Sequence, residues 1–122
     1  MARVMIADDS DAIRMVLKDV LEIGRHEIVA EATNGAEAVD KFDATKPDVL
    51  LLDFAMPKKD GLTALKEIIS ANPKAKVIMI TASDNLMTIK QCIEEGALEY
   101  ILKPFDFDSV LKVIAKVLGK HL

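Results

Sequence analysis

The sequence predicts a doubly wound α/β fold, a (βα)5 unit built on a five-stranded parallel sheet. Five short apolar runs rich in β-branched residues alternate with five amphipathic stretches, the pattern of strands joined by crossover helices. Two of the runs, Val49-Leu50-Leu51-Leu52 and Val77-Ile78-Met79-Ile80, are continuously apolar, as interior strands covered on both faces must be. The chemically active side chains, finally, fall at the carboxyl ends of the runs, where open α/β sheets place their ligands.

Taken in order, the first strand spans Arg3–Ala7 and leads into a helix with the stripe Ile13, Val16, Leu17, Val20 and Leu21. Ser10 stands at its N-cap and Gly24 where a left-handed residue would end it. The second strand spans Glu27–Ala32, with Asn34 capping the next helix. The third and fourth strands span Asp48–Asp53 and Lys76–Thr81, and Gly96 closes the helix after the fourth in a left-handed conformation. The fifth spans Glu99–Lys103, and Asp106 caps a last helix striped by Leu111, Ile114, Val117 and Leu118.

Composition narrows the function. A chain of 122 residues, 51% hydrophobic and 30% charged, forms one domain over 1–122 that buries roughly two-thirds of its extended surface. No linker or repeat interrupts it, and no effector domain is expected. A lone cysteine, Cys92, cannot pair internally; it reads as a small buried hydrophobe on a helical face with Ile89 and Ile93, and the cytoplasm is the expected compartment. No apolar run approaches the roughly 20 residues of a membrane span. The start Met1-Ala2-Arg3 carries no targeting signal. Sixteen basic against twenty acidic residues give a net charge of −4, which argues against nucleic acid as a partner.

Asp8 and Asp9 follow the first strand, Asp53 ends the third, Thr81 the fourth and Lys103 the fifth. Three carboxylates brought together repel one another unless a cation sits among them, and an all-oxygen set suits Mg2+. Asp8-Asp9 reads equally well as a favourable charge at a helix N-terminus. Asp53 resists such a reading, because an unpaired charge at the edge of a core is costly. Lys103 precedes Pro104, a candidate cis bond that would aim the ammonium inward at Asp53. Thr81 could bind a phosphoryl oxygen, and alone it reads as a turn into the next helix. A carboxylate flanked by Mg2+ and an ammonium can accept a phosphoryl group as an aspartyl phosphate, and Asp53 is placed to do so.

Of the rest, Tyr100 reads alone as a half-buried strand aromatic, and Met56 is the one methionine with a functional reading beside its role as filler. Lys58-Lys59 reads as a solvated loop or a kinase contact, and Asp60-Gly61 as a turn plus helix start. His26 and His121 are too isolated to form a metal site.

These residues resemble a known family, the response-regulator receiver domains, and among them the single-domain, CheY-like, chemotaxis type. The resemblance spans the chain and rests on Ala7-Asp8-Asp9-Ser10, Asn34-Gly35-Ala36-Glu37-Ala38, Asp53-Phe54-Ala55-Met56-Pro57 with Asp60-Gly61, Thr81-Ala82, and Tyr100-Ile101-Leu102-Lys103-Pro104-Phe105. It implies the flavodoxin-like strand order 2-1-3-4-5. It also implies that a histidine kinase phosphorylates Asp53, with Asp8, Asp9, Asp53 and the backbone carbonyl of Ala55 holding Mg2+. Thr81 and Lys103 would hold phosphoryl oxygens, and Tyr100 would swing inward as Thr81 moves. Ala55 and Ser83 would tune dephosphorylation.

The output surface implied is the fourth helix, fifth strand and fifth helix, near Asn85–Glu95, Tyr100 and Ser109–Lys120, docking a separate protein. The protein would then be a monomeric signalling module and not an enzyme, although it would catalyse its own phosphoryl transfer and autodephosphorylation. Related chemotaxis regulators often follow the acidic pair with a small residue and Phe-Met-Arg; this chain reads Asp11-Ala12-Ile13-Arg14 and keeps the arginine. The alternative use is a phosphorelay intermediate or phosphate sink in another two-component pathway. A hydrolase of the haloacid-dehalogenase type needs an acid/base aspartate where Ala55 stands. A flavodoxin-like cofactor carrier needs a phosphate loop where Asp8-Asp9 would repel the ligand.

Overall fold

A computed structural model of the protein describes residues 2–119. Five strands and five helices alternate: β1 (Arg3–Ala7), α1 (Asp11–Ile23), β2 (Glu27–Ala32), α2 (Gly35–Thr45), β3 (Val49–Asp53), α3 (Gly61–Ala71), β4 (Val77–Thr81), α4 (Leu86–Glu94), β5 (Glu99–Leu102) and α5 (Phe107–Val117). The sheet is parallel throughout in the order β2-β1-β3-β4-β5, as expected. His121 and the last residue of the Ser109–Lys120 face lie outside the described residues.

Three strands begin or end one residue inside the expected spans, at Val49, Val77 and Leu102. The flanking residues still bond to the sheet, Lys76 through its carbonyl to the Leu50 N–H and Lys103 through its N–H to the Thr81 carbonyl. Every residue of β3 and β4 is buried, which is what their uninterrupted apolar runs require. The order also makes β1 interior, and Val4, Met5, Ile6 and Ala7 are buried with them.

Two cores flank the sheet. Leu17, Val20 and Leu21 of α1 and Val110 and Ile114 of α5 pack with Val4, Ile6, Leu51 and Ile78 on one side. Phe42 of α2, Leu65 and Ile68 of α3 and Cys92 of α4 pack with Met5, Leu50, Leu52 and Met79 on the other. Leu51 is fully buried, and its truncation to alanine would cost about 2–5 kcal/mol. Met56 belongs to the second core as filler, whereas Ile93 turns outward, unlike its neighbour Cys92. Val16 marks the edge of the α1 stripe at 37% exposure.

Ser10, Asn34 and Asp106 accept N–H bonds from Ile13, Glu37 and Ser109 as N-caps, and Asp60 and Asn85 do the same for α3 and α4. Gly96 has φ 113, the left-handed geometry expected of it. Gly24 does not: it is right-handed at φ −78, and Arg25 takes the left-handed position at φ 60. Glycine serves there for space, since a Cβ on Gly24 would lie 2.5 Å from Leu111 Cδ2 of α5. No helix of the described residues is long and apolar enough to cross a membrane.

Candidate functional site

Parallel strands in register end together, and the register Ala7 to Leu52, Asp53 to Ile80 and Thr81 to Leu102 sets the carboxyl ends of β1, β3, β4 and β5 along one edge. Asp53 is the last residue of β3 and is 3% exposed. Asp8, fully buried, follows β1 and is tied to β2 by its N–H on the Ala32 carbonyl. Its two oxygens divide their work: Oδ1 accepts from the Ser10 N–H at 2.9 Å, and Oδ2 from Lys103 Nζ at 3.1 Å. Asp9 is exposed and completes a trio whose ligating oxygens lie within 4.8 Å of one another.

Lys103 follows β5, its peptide bond to Pro104 is cis, and its Nζ also donates to Asp53 Oδ1 at 3.3 Å. Thr81 is buried at the end of β4, where its Oγ1 accepts from the Ser83 N–H at 3.0 Å, so the turn expected of it is present. Asp9, Asp53, Ala55, Thr81, Ser83 and Lys103 line one open pocket of about 270 Å³. Tyr100 is not in it. Tyr100 is 37% exposed and lines a separate groove of about 410 Å³ beside α5, with Phe105 and Ser109.

Burial raises the Asp53 carboxyl from the ordinary 3.8 to about 6, and the neighbouring charge of Asp8 adds to the rise. Lys103 and the Ala55 N–H pull it back down. Burial works against the Lys103 charge, but the hydrogen bond to Asp8 and the field of Asp53 outweigh it and leave the ammonium more basic than an ordinary lysine. Two buried carboxylates thus share one ammonium, and with Asp9 they present a cluster of hard oxygen donors beside an open pocket. That donor set fits Mg2+, which takes few protein carboxylates and completes its shell with water or phosphate oxygens.

Two contributors stand in the sequence only as motif residues, without a signal for the contacts they make. Gly61 at the start of α3 packs so closely on the acceptor strand that a Cβ would sit 2.1 Å from the Asp53 carbonyl oxygen. Its N–H donates to the Phe54 carbonyl at 2.8 Å, and the pattern Asp60-Gly61 signals the turn and the helix start but not this contact. Arg14 of α1 donates to the Asp8 carbonyl at 2.7 Å, a contact with no signature in spacing. Lys58 and Lys59 lie in the loop after β3, with Lys59 paired to Glu67.

The chain matches the response regulator receiver domain family over residues 4–115. It is 43% identical to the chemotaxis protein CheY of Bacillus subtilis (strain 168) over 117 residues, which cover 96% of this chain and 98% of that protein. It is 40% identical to the chemotaxis protein CheY of Thermotoga maritima over 115 residues, 94% of this chain and 96% of that one. Among solved structures it is similar to a chain of the CheX-CheY-BeF3-Mg+2 complex from Borrelia burgdorferi, with a TM-score of 0.92 and 35% identity over 94% of this chain and 87% of that chain.

Proposed function

The chain belongs to the response-regulator receiver family, and on that premise we propose that it is a stand-alone phospho-accepting regulator of chemotaxis signalling. It takes a phosphoryl group from a histidine kinase onto Asp53 and thereby changes its affinity for a partner protein. The observation that carries this reading is the buried Asp53 held by Lys103 within a carboxylate cluster that fits Mg2+.

Each residue has work that its placement suits. With a carboxyl near 6, Asp53 is mostly ionised at pH 7 and stays nucleophilic. A carboxylate oxygen of Asp53 attacks phosphorus, and the electron pair of the breaking P–N bond returns to the donor imidazole. The Lys103 ammonium, already between two carboxylates, turns part of its charge to a phosphoryl oxygen. Thr81 Oγ1 accepts from Ser83 and keeps its own hydrogen for another phosphoryl oxygen. Asp8, Asp9, Asp53 and the Ala55 carbonyl would hold Mg2+, which would supply neutralising charge there.

The output runs through Thr81 and Tyr100. When Thr81 is drawn toward the phosphoryl group, Tyr100 turns inward from its exposed position. Leu86, Met87 and Ile93 are exposed on α4 and Leu98 and Leu102 at β5, apolar side chains of the kind that docking surfaces use. The buried lone thiol of Cys92 is compatible with work in the cytoplasm.

The test uses beryllofluoride, a phosphoryl mimic, with Mg2+ and NMR amide shifts. Shifts that extend from Thr81 to Tyr100 and α4, and vanish in Asp53→Asn, are the expected result. Shifts confined to the loops around Asp53 would overturn the switching part of the proposal.

A further inference from the structure

Asp9 has to be aimed by something other than its side chain. Its carboxylate makes no hydrogen bond or ion pair among the described residues, yet it lies within 4.8 Å of the other two carboxylates. Its direction therefore comes from the backbone of the turn between β1 and α1. The Asp8 N–H is tied to β2, and the Asp8 carbonyl belongs to the peptide plane that leads into Asp9.

That carbonyl is held by Arg14, whose Nη1 donates to it at 2.7 Å. The guanidinium is itself fixed from two other sides. Its Nε donates to Glu31 Oε1 of β2 at 3.3 Å, and its Nη2 pairs with Asp11. Glu31 is steadied in turn by Lys18 at 3.1 Å. The Arg14 side chain is 13% exposed, so the guanidinium itself is enclosed although Asp11 lies at the surface.

We infer that Arg14 is a positioning residue for the metal site: by clamping the Asp8 carbonyl to β2 through Glu31, it aims the Asp9 carboxylate at Asp8 and Asp53. The inference rests on the metal reading of the cluster. Arg14 uses the Asp8 carbonyl and touches none of the three site carboxylates, so it orders the site without competing for the ion. Lys103, which takes the carboxylates themselves, cannot do this. Partners that orient metal ligands in this way typically matter by about 10–100-fold in affinity.

The sign of the effect separates positioning from charge. A guanidinium near three carboxylates repels a divalent cation, so its field alone predicts that neutralising Arg14 tightens binding. Positioning predicts the reverse. The experiment is a Mn2+ titration of the full chain, read from the electron paramagnetic resonance of free Mn2+, on the parent, Arg14→Gln and Arg14→Lys. Expected is a Kd about tenfold or more weaker in Arg14→Gln, with Arg14→Lys in between because it keeps one donor for the Asp8 carbonyl. A folded Arg14→Gln that binds as tightly as the parent, or more tightly, overturns the inference, even if its melting temperature without metal is lower. If Arg14→Gln does not fold, the same criterion applies to Arg14→Lys. A parent that takes up no Mn2+ overturns the metal reading itself, and this inference with it.

Discussion

Lys103 Nζ lies 3.3 Å from Asp53 Oδ1, joining residues 50 apart in the chain at the carboxyl edge of the sheet. The same ammonium reaches the fully buried Asp8 at 3.1 Å, so one cation serves two carboxylates that would otherwise face each other uncompensated. An added Mg2+ and the ammonium answer the same need.

Lys103→Met tests that sharing. Removing one member of a largely buried ion group leaves charge unpaired, and with Lys103 at 21% side-chain exposure the cost is about 2 kcal/mol in EDTA. Mg2+ should restore more stability to Lys103→Met than to the parent, because it no longer competes with the ammonium. Thermal melts with and without Mg2+ measure both quantities, and an equal Mg2+ shift in the two proteins would count against the shared site.

Asp53→Asn gives the pH dependence. Folding raises the Asp53 carboxyl from 3.8 to about 6, through burial first and Asp8 second. Between those values the folded protein holds a proton that the unfolded chain has released. The group's contribution is therefore intact below about 4 and lost as pH rises through about 6. That difference corresponds to a cost on the order of 3 kcal/mol for the ionised group at pH 7. In EDTA at pH 7 Asp53→Asn should melt higher than the parent, with the gap closing toward pH 4. A lower-melting Asp53→Asn at pH 7 would reverse the sign.

Asp9→Asn isolates the metal. Asp9 is exposed, so the substitution should move stability without metal by less than about 0.5 kcal/mol. Mg2+ several-fold above its dissociation constant should stabilise the parent by on the order of 1 kcal/mol and leave Asp9→Asn nearly unmoved. Calorimetric melts decide it, and a parent indifferent to Mg2+ would rule the ion out of this site.

Gly61→Ala probes the contact under the acceptor. Its Cβ would stand 2.1 Å from the Asp53 carbonyl and 2.7 Å from Phe54 Cα, and backbone cannot step aside as a side-chain tip can. A loss of about 2–3 kcal/mol in urea unfolding is expected. Unchanged stability would show that the start of α3 moves freely against β3.

What can be read from the sequence is what repeats locally or sits at strand ends. The unbroken runs Val49 to Leu52 and Val77 to Ile80 mark buried strands, and Ser10, Asn34 and Asp106 mark helix starts, because each signal lies within a few residues of its cause. The meeting of Asp8, Asp53 and Lys103 is legible for a topological reason, since parallel strands deliver their ends to one edge. Gly24 misleads, because its reason is the nearness of Leu111, 87 residues later, and not its own φ. Arg14 stands out in the sequence only as a retained motif residue, since its partners Asp8 and Glu31 are set by how α1 lies across β1 and β2. The outward placement of Tyr100 likewise depends on which face of β5 meets α5.

The central claim is that Asp53 accepts a phosphoryl group in a reaction that depends on Mg2+. Intact-protein mass spectrometry after incubation with acetyl phosphate or phosphoramidate, with Mg2+ or EDTA, on the parent and on Asp53→Asn, tests it most directly. The expected result is a gain of one phosphoryl group in the parent with Mg2+, absent in EDTA and absent in Asp53→Asn. A folded parent that gains nothing under any condition, or an Asp53→Asn that gains as much as the parent, would contradict it.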